Sequence, residues 1–197
     1  RVLFRSIGEE LKRWRRRGVE GHFKGGQPWL SYNDRIAEPM ARLVGAKPKE
    51  IVFMNTLTVN LHMMMISFYR PDGKRNQVVM EQHSFPSDRY AAESQVRLHG
   101  LDPQECLVEI APDPQTRLIG EESVEAYLDE HGDKVALVLW PGVQYATGQV
   151  FDLDRIARAA QRAGAHCGFD LAHAVGNVPM QLHDSGDRKS TRLNSSH

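Results

Sequence analysis

The length, composition and charge of the chain favour a folded protein and exclude several classes of function. It has 197 residues, of which 41% are hydrophobic and 25% charged, as in an ordinary globular domain. Its 25 basic residues balance 25 acidic ones, which argues against a basic nucleic-acid binder or a polybasic membrane-surface protein. No apolar run approaches the roughly 18 residues that a membrane span needs.

The cysteine spacing and the first residues of the chain indicate a reducing, cytoplasmic compartment. Cys106 and Cys167 have the spacing of neither a metal site nor a redox motif, so a reducing environment is expected. The first ten residues contain charges and no apolar core, so no signal peptide is expected. The sequence therefore predicts a cytoplasmic protein with no membrane, nucleic-acid or metal partner.

The two ends of the chain differ from the rest. Residues 187–197, DRKSTRLNSSH, have one leucine as their only large apolar residue and follow no helix or strand period. We expect this tail and residues 1–6, RVLFRS, to be non-native, with a frayed polar terminus as the alternative for the tail. Between them we expect an N-terminal helical and loop segment, residues 7–45, and a partial large domain, residues 46–186.

Between the ends, predicted strands alternate with predicted helices. A helix over residues 7–17 ends at Gly18, and a second helix, capped by Asn33 or Asp34, runs to about residue 44. Strands are then predicted at residues 50–54, 77–81, 106–111, 134–140 and 165–169. Helices are predicted at residues 58–69, 86–99, 121–131 and 152–163. This alternation predicts an α/β fold, with a mostly parallel sheet covered by helices on both faces.

In such a sheet, ligands bind at the carboxyl ends of the strands, so the residues that follow the strands are the candidates for a site. The segment NTLTVN, residues 55–60, places Thr58 at a helix start, where free N–H groups and a hydroxyl suit a phosphate. A plain threonine cap is the alternative. In HSFPSD, residues 83–88, Ser87 and Asp88 can cap the next helix, and Phe85 can lie flat over a planar ligand. The alternative is a capped turn with one packed aromatic ring.

The segment FDLAHAVG, residues 169–176, is the most informative. Asp170 ends a buried strand, and burying a carboxylate is costly unless a partner holds it. A protonated pyridine nitrogen would be such a partner, and His173 could face the same ligand. An Asp/His metal pair and a helix cap are the alternatives. A phosphate cradle, a stacking ring and a ring-nitrogen carboxylate, in this order, are typical of a pyridoxal-phosphate enzyme of the aminotransferase fold type.

Longer strings closely resemble kynureninase, and the resemblance covers roughly residues 7–186. The strings are GHFKGGQPW, NTLTVNLHMMMISFYRP, HSFPSDRYAAESQVRLHG, GVQYATGQVFDL and GFDLAHAVGNVPMQLHDSG. The resemblance implies the large domain of a fold-type-I, aminotransferase class V-like enzyme that uses pyridoxal 5'-phosphate. It further implies hydrolysis of L-kynurenine, or its 3-hydroxy form, to an anthranilate and L-alanine in tryptophan catabolism and NAD biosynthesis, by a homodimer.

The resemblance also implies functional residues. Leu57 and Thr58 would contact the cofactor phosphate. Phe85 would stack on the ring, and Pro86, Ser87 and Asp88 would shape the same wall. Asp170 would pair with the ring nitrogen, and His173 would lie beside the cofactor. His22, in the glycine-rich loop, would lie close to the aromatic ring of the substrate.

Two departures from the family pattern matter. The family often has a hydroxyl residue where this chain has Pro141, which has neither a hydroxyl nor an N–H. The Schiff-base lysine of the family lies in a Ser-Tyr-Lys stretch, which these 197 residues do not contain. Lys189 lies in DRKST and is not assigned that role. We therefore expect the chain as written to bind the cofactor weakly and to be inactive.

Two other readings stay open. A cysteine desulfurase or selenocysteine lyase shares the Asp-x-x-His arrangement after a strand, although HFKGGQPW and FPSDRYA disfavour both. A non-catalytic fragment that binds RNA or an acidic partner through residues 13–17, RWRRR, comes from a different class. Because the chain is neutral overall, those arginines are expected to form a solvated helix face instead.

Overall fold

A computed structural model describes residues 2–184 and divides the chain into two units between Phe53 and Met54. The predicted foreign tail at residues 187–197, with Lys189, lies outside the described residues. In the first unit, helix α1 (Val2–Arg17) leads through a 3₁₀ turn (Gly18–His22) to helix α2 (Tyr32–Val44) and a second 3₁₀ turn (Pro48–Glu50). Within residues 2–184, no helix is both long and apolar enough to cross a membrane.

Two predictions for the first unit are wrong. Helix α2 begins at Tyr32, so Asn33 lies inside its first turn and does not cap it. Instead, the Asn33 side chain accepts a hydrogen bond from the N–H of Phe53 (2.9 Å) and donates one to the carbonyl of Ile51 (3.3 Å). The Asn33 side chain therefore bonds the backbone groups of Ile51 and Phe53 that a neighbouring strand would otherwise bond. The strand predicted at residues 50–54 is absent, because residues 51–54 form no strand.

The second unit contains a four-stranded, fully parallel sheet in the order β2-β1-β3-β4. Its strands are β1 (Gln77–Glu81), β2 (Leu107–Ile110), β3 (Val135–Pro141) and β4 (His166–Asp170). Its helices are α3 (Leu57–Phe68), α4 (Pro86–Leu98), α5 (Pro103–Cys106), α6 (Glu121–His131) and α7 (Leu153–Arg162). The α/β prediction is confirmed, with four strands in place of five and one short helix, α5, that was not predicted.

Helices cover both faces of the sheet. On one face, Leu61 and Met65 of α3 and Ala92 of α4 pack with alternate residues of β1 and β3 such as Met80 and Leu139. The residues between these, such as Val138 and Trp140, are buried on the opposite face because side chains alternate along a strand. Helices α6 and α7 pack together, and α7 packs against β4.

Helices α3 and α4 begin at the same edge of the sheet. Helix α4 follows the carboxyl end of β1 after a short loop, so it starts at the carboxyl edge. Tyr69, just after α3, lies with its ring edge-on to that of His99, just after α4, at a centroid distance of 5.4 Å. The two helices therefore end together, which places the N-terminus of α3 at the carboxyl edge as well.

Arg75 ties the entrance of β1 to the rest of the second unit. Its Nη1 donates to the carbonyls of Val135 (2.6 Å), which follows α6, and Ala163 (3.1 Å), which follows α7.

We expect Arg75→Leu to lower the free energy of unfolding by about 1–3 kcal/mol, because two carbonyls lose a charged donor. Chemical denaturation measures the change. The control Arg70→Leu removes an exposed arginine whose one hydrogen bond within residues 2–184 goes to the nearby carbonyl of Ser67, and it should cost less than about 0.5 kcal/mol.

Candidate cofactor site

The carboxyl ends of β1, β3 and β4 surround a pocket. Four of the eight predicted cofactor residues line it: Phe85, Asp88, Asp170 and His173. Pro141 lines it as well, whereas Pro86 and Ser87 do not. They come from the start of α4 and from the end of β4 with the turn after it. The parallel register explains the assembly, because it brings the carboxyl ends of all the strands to one edge.

Backbone contacts fix Asp170. It is the last residue of β4 and lies beside Pro141 in the register of β3 and β4. Its carbonyl accepts a hydrogen bond from the N–H of Gly142 (2.7 Å), and its Oδ1 accepts one from the N–H of Ala172 (2.8 Å). A Cβ at Gly142 would lie 2.7 Å from a methyl of Leu171, so glycine permits this close approach.

Asp88 and Asp170 form a buried carboxyl pair. Asp88 is 5% exposed and Asp170 is 6% exposed. Burial, above all, and then the hydrogen bond and charge of Asp170 raise the pKa of Asp88 to about 8. Within residues 2–184, neither side chain forms an ion pair with a lysine or arginine. A cationic group of a ligand would therefore find two acidic side chains here that are already desolvated and that have no cationic partner of their own.

Three rings lie beside the carboxyl pair. The Phe85 ring is edge-on to that of Tyr145 at 5.2 Å between centroids, and tilted at 6.0 Å from that of His173. Tyr145 and His173 lie 6.3 Å apart. Phe85 remains 39% exposed, so its ring is accessible to a planar ligand.

The start of α4 differs from the expected cap. Neither Ser87 nor Asp88 caps the helix, because Phe85 occupies the N-cap position and Pro86 is the first helical residue. Proline needs no partner for its nitrogen at this position, and the Asp88 carboxyl makes no capping bond. Ser87 Oγ donates to Asp88 Oδ1 at 3.2 Å.

Leu57 and Thr58 lie in the first turn of α3, at the same edge of the sheet but outside the lining of the pocket. Thr56 is the N-cap residue, and its side chain makes no capping bond. The N–H groups of this turn have no acceptor inside the helix, as at every helix start. Their combination with the positive end of the helix dipole suits an anion.

His22 belongs to the first unit. It ends the 3₁₀ turn Gly18–His22, and its ring meets that of Trp29 edge-on at 5.2 Å between centroids. Trp29 is held in turn by a hydrogen bond from its Nε1 to Glu10 Oε2 (2.8 Å). His22 is thus an exposed ring on a braced loop.

Sequence reasoning missed Glu81 and assigned no role to Gln144. Glu81 ends β1, lines the pocket and is 1% exposed. Burial raises its pKa to about 7, while a hydrogen bond with Gln144 lowers it in part. Gln144 also accepts from the N–H groups of Ala146 (2.6 Å) and Thr147 (2.8 Å), which shapes the loop after β3. An acid that ends an apolar strand, as in QVVME, was the available signal for Glu81.

Comparison with known proteins identifies the family. Residues 3–187 match the family described as aminotransferase class-V. The chain belongs to this family. Enzymes of this family use pyridoxal phosphate. Within residues 2–184, no group of three or more His, Cys, Asp and Glu side chains is placed to hold a metal ion.

Curated relatives include proteins named kynureninase. The chain is 55% identical over 179 residues to the one from Stenotrophomonas maltophilia (strain K279a) and 53% identical over 180 residues to the one from Xanthomonas campestris pv. campestris (strain B100). Each alignment covers 91% of this chain and 42% of the relative. The chain therefore spans about two fifths of the length of these relatives.

Solved structures of low sequence identity share the fold. A cysteine desulfurase from Thermococcus onnurineus NA1 aligns with a TM-score of 0.59 at 19% identity, over 82% of this chain and 41% of its own. A NifS-like protein aligns with a TM-score of 0.64 at 14% identity, over 89% of this chain and 47% of its own. At these identities the likeness concerns the fold alone.

The raised pKa of Asp88 gives a prediction for stability. The folded protein holds this proton more tightly than the unfolded chain, whose carboxyl titrates near its ordinary value of 3.8. The contribution of Asp88 to stability is therefore greatest at low pH and declines as the pH rises from about 4 to about 8. An amide does not titrate, so Asp88→Asn should gain stability relative to wild type as the pH rises through this window.

Denaturation of the cofactor-free protein at several pH values measures this effect. The control is Glu38→Gln, which changes an exposed carboxyl in the same way and should shift the unfolding free energy equally at every pH in the upper half of the window. Parallel pH profiles for wild type and Asp88→Asn would contradict the raised pKa.

Proposed function

We propose that the full-length protein uses pyridoxal phosphate to hydrolyse L-kynurenine, or 3-hydroxy-L-kynurenine, to anthranilate or 3-hydroxyanthranilate and L-alanine. The observation that supports the proposal most is the buried Asp88–Asp170 pair at the carboxyl edge of a class-V sheet, in a chain 55% identical to a kynureninase. When bound, the cofactor supplies an electron sink that lets bonds to the amino acid break.

The residues at the sheet edge fit such a cofactor. Asp170, buried and fixed by the N–H groups that surround it, would accept a hydrogen bond from the cationic ring nitrogen. Asp88 would hold the Asp170 carboxyl in position through the hydrogen bond between the two side chains, and Phe85 would stack on the ring. An ionised Asp170 would hold the nitrogen proton in place, because losing that proton would leave a buried carboxylate without a cation.

The phosphate would lie at the start of α3. Leu57 and Thr58 would donate backbone N–H groups, and the Thr58 hydroxyl is exposed and available. This helix starts at the same sheet edge as α4, the edge that also holds the pocket. His173 would lie beside the ring, and His22 would meet the aromatic part of the substrate.

Other parts of the proposal rest on the resemblance. We propose a cytoplasmic homodimer that acts in tryptophan catabolism, with kynurenine as its small-molecule substrate. Pro141 offers no hydroxyl at a position where the family often has one. The neighbouring Gly142 N–H, which donates to the Asp170 carbonyl, keeps the strand end ordered without it.

A cysteine desulfurase activity is the second candidate. It is favoured by the fold shared with the Thermococcus onnurineus enzyme, at 19% identity against 55% for the kynureninase. The two candidates give different products. The full-length protein loaded with pyridoxal phosphate should release a fluorescent anthranilate from kynurenine, and no sulfide from cysteine.

The site assignment predicts the effect of changing Asp170. In the full-length enzyme, Asp170→Asn should lower the rate of anthranilate release by about 10²–10³-fold, because a neutral amide cannot stabilise the cationic ring nitrogen. Asp129→Asn, an exposed aspartate of α6, is the matched control and should leave the rate unchanged. A rate for Asp170→Asn within a few-fold of wild type would contradict the assignment.

The absence of a Ser-Tyr-Lys stretch from these 197 residues gives a separate prediction. The chain as written should bind pyridoxal phosphate weakly and without a covalent link at one defined lysine. Borohydride reduction followed by peptide mass spectrometry checks this. A stoichiometric reduced adduct on a single lysine would overturn it, whereas sparse labelling spread over exposed lysines would agree with it.

A further inference from the structure

Unpartnered buried polar atoms collect around the candidate cofactor pocket. Glu81 Oε2, Ser84 Oγ and Trp140 Nε1 are buried side-chain atoms that make no hydrogen bond in the described part of the chain. All three residues line the pocket that contains Asp88 and Asp170. A buried polar atom without a partner is costly, so such a cluster indicates groups arranged toward something that binds there.

Glu81 is the member of this cluster that can change its charge. It is 1% exposed, at the end of β1, and within residues 2–184 no lysine, arginine or histidine forms an ion pair with it. A buried carboxyl without a cation is more stable when protonated. Accordingly, burial raises its pKa to about 7, close to the working pH of most enzymes.

The groups facing Glu81 come from several elements. Asp88 of α4, Asp170 of β4, and Tyr145 and His173 of the following loops line the same pocket. On its other side, Glu81 also lines a second pocket, with His83, Asp113 and Arg117. Negative charge on Glu81 makes it harder to ionise Asp88, since their charges repel. The ionisation of Glu81 and that of Asp88 are therefore linked through their charges.

We propose that Glu81 is a positioning residue of the cofactor site: it is protonated while the site is free, and it gives up this proton when a cationic ring nitrogen lies beside Asp170. The inference rests on the proposed use of pyridoxal phosphate. In the step, the O–H bond of the Glu81 carboxyl breaks, the electron pair stays on oxygen, and the proton passes to solvent. Glu81 then adds a negative charge that helps to hold the ring nitrogen in its cationic form.

Proton release on cofactor binding tests this directly. Titration calorimetry of the cofactor-free, full-length protein with pyridoxal phosphate, in buffers of different ionisation enthalpy, counts the protons exchanged. At about pH 7, where about half of the Glu81 carboxyls carry a proton before binding, wild type should release up to about half a proton more per cofactor than Glu81→Gln. At about pH 9 the difference should vanish, because Glu81 is then ionised before binding.

Two controls separate this role from a structural one. Glu130→Gln makes the same change at an exposed carboxyl of α6 and should exchange as many protons as wild type. Ser84→Ala removes a neighbouring unpartnered hydroxyl without changing a charge, and should also leave the count unchanged. A lower affinity for the cofactor alone would follow from any disturbance of packing, whereas the proton count would not.

A second measurement needs no variant. In wild-type protein with ¹³C-labelled glutamate, the infrared band of a protonated glutamate carboxyl should disappear when pyridoxal phosphate binds at about pH 7. This measurement tests the role of Glu81 even if the Glu81→Gln variant does not fold.

The outcomes distinguish the two levels of the proposal. Cofactor binding with equal proton counts in wild type and Glu81→Gln, or with an unchanged glutamate band, would overturn the role of Glu81 and leave the proposed function intact. Failure of the full-length wild type to bind pyridoxal phosphate would overturn the proposed function, and the role of Glu81 with it.

Discussion

The carboxyl groups of Asp88 and Asp170 are buried against each other at one edge of the sheet, and much of the second unit serves to keep them there. Neither has a cationic partner within residues 2–184, so their burial is unfavourable in the protein alone. Burial, and then the hydrogen bond and charge of Asp170, raise the pKa of Asp88, because two buried carboxyls in contact are costly to ionise together. A ligand that brings its own positive charge relieves both the burial and the repulsion.

The fold keeps this arrangement from relaxing. The strand of Asp170 is locked to β3 through a parallel register that ends at Pro141, and Gly142 allows the turn after β4 to approach closely. Pro86 begins α4 without needing a partner for its nitrogen, and Asp88, two residues further on, lines the pocket. Because backbone geometry holds both acids, neither can turn toward water without distorting the sheet edge. The unfavourable free energy of burying the two carboxyls is therefore relieved only when a cation binds beside them.

The pattern of apolar residues predicted the strands and helices well where their apolar side chains are buried in the core. Residues 77–81 and 121–131 were predicted as β1 and α6 with the observed limits, since their apolar patterns match one structure. The predicted strand at 50–54 failed, because the Asn33 side chain, 18 residues from Ile51, satisfies its backbone groups. A long-range side-chain bond of this kind leaves no local pattern.

The candidate site was predictable to the extent that its residues follow strands. Asp170 directly follows an apolar run and Phe85 lies in the short loop after β1, and the structure brings both to one pocket. Asp88 was expected as a cap or a wall, and its contact with Asp170 depends on the packing of α4 against the sheet. Glu81 was overlooked because a charged residue at a strand end is usually solvated, and only the tertiary structure buries it.

The most direct measurement of the central claim is the protonation state of the cofactor ring in the full-length protein. Nuclear magnetic resonance of bound pyridoxal phosphate, labelled with ¹⁵N in the ring, reports whether that nitrogen carries a proton. The buried carboxyl pair predicts a protonated nitrogen that stays protonated well above the pH at which the free cofactor loses its ring proton. A nitrogen that is unprotonated at neutral pH in the wild type would contradict the assignment of Asp88 and Asp170.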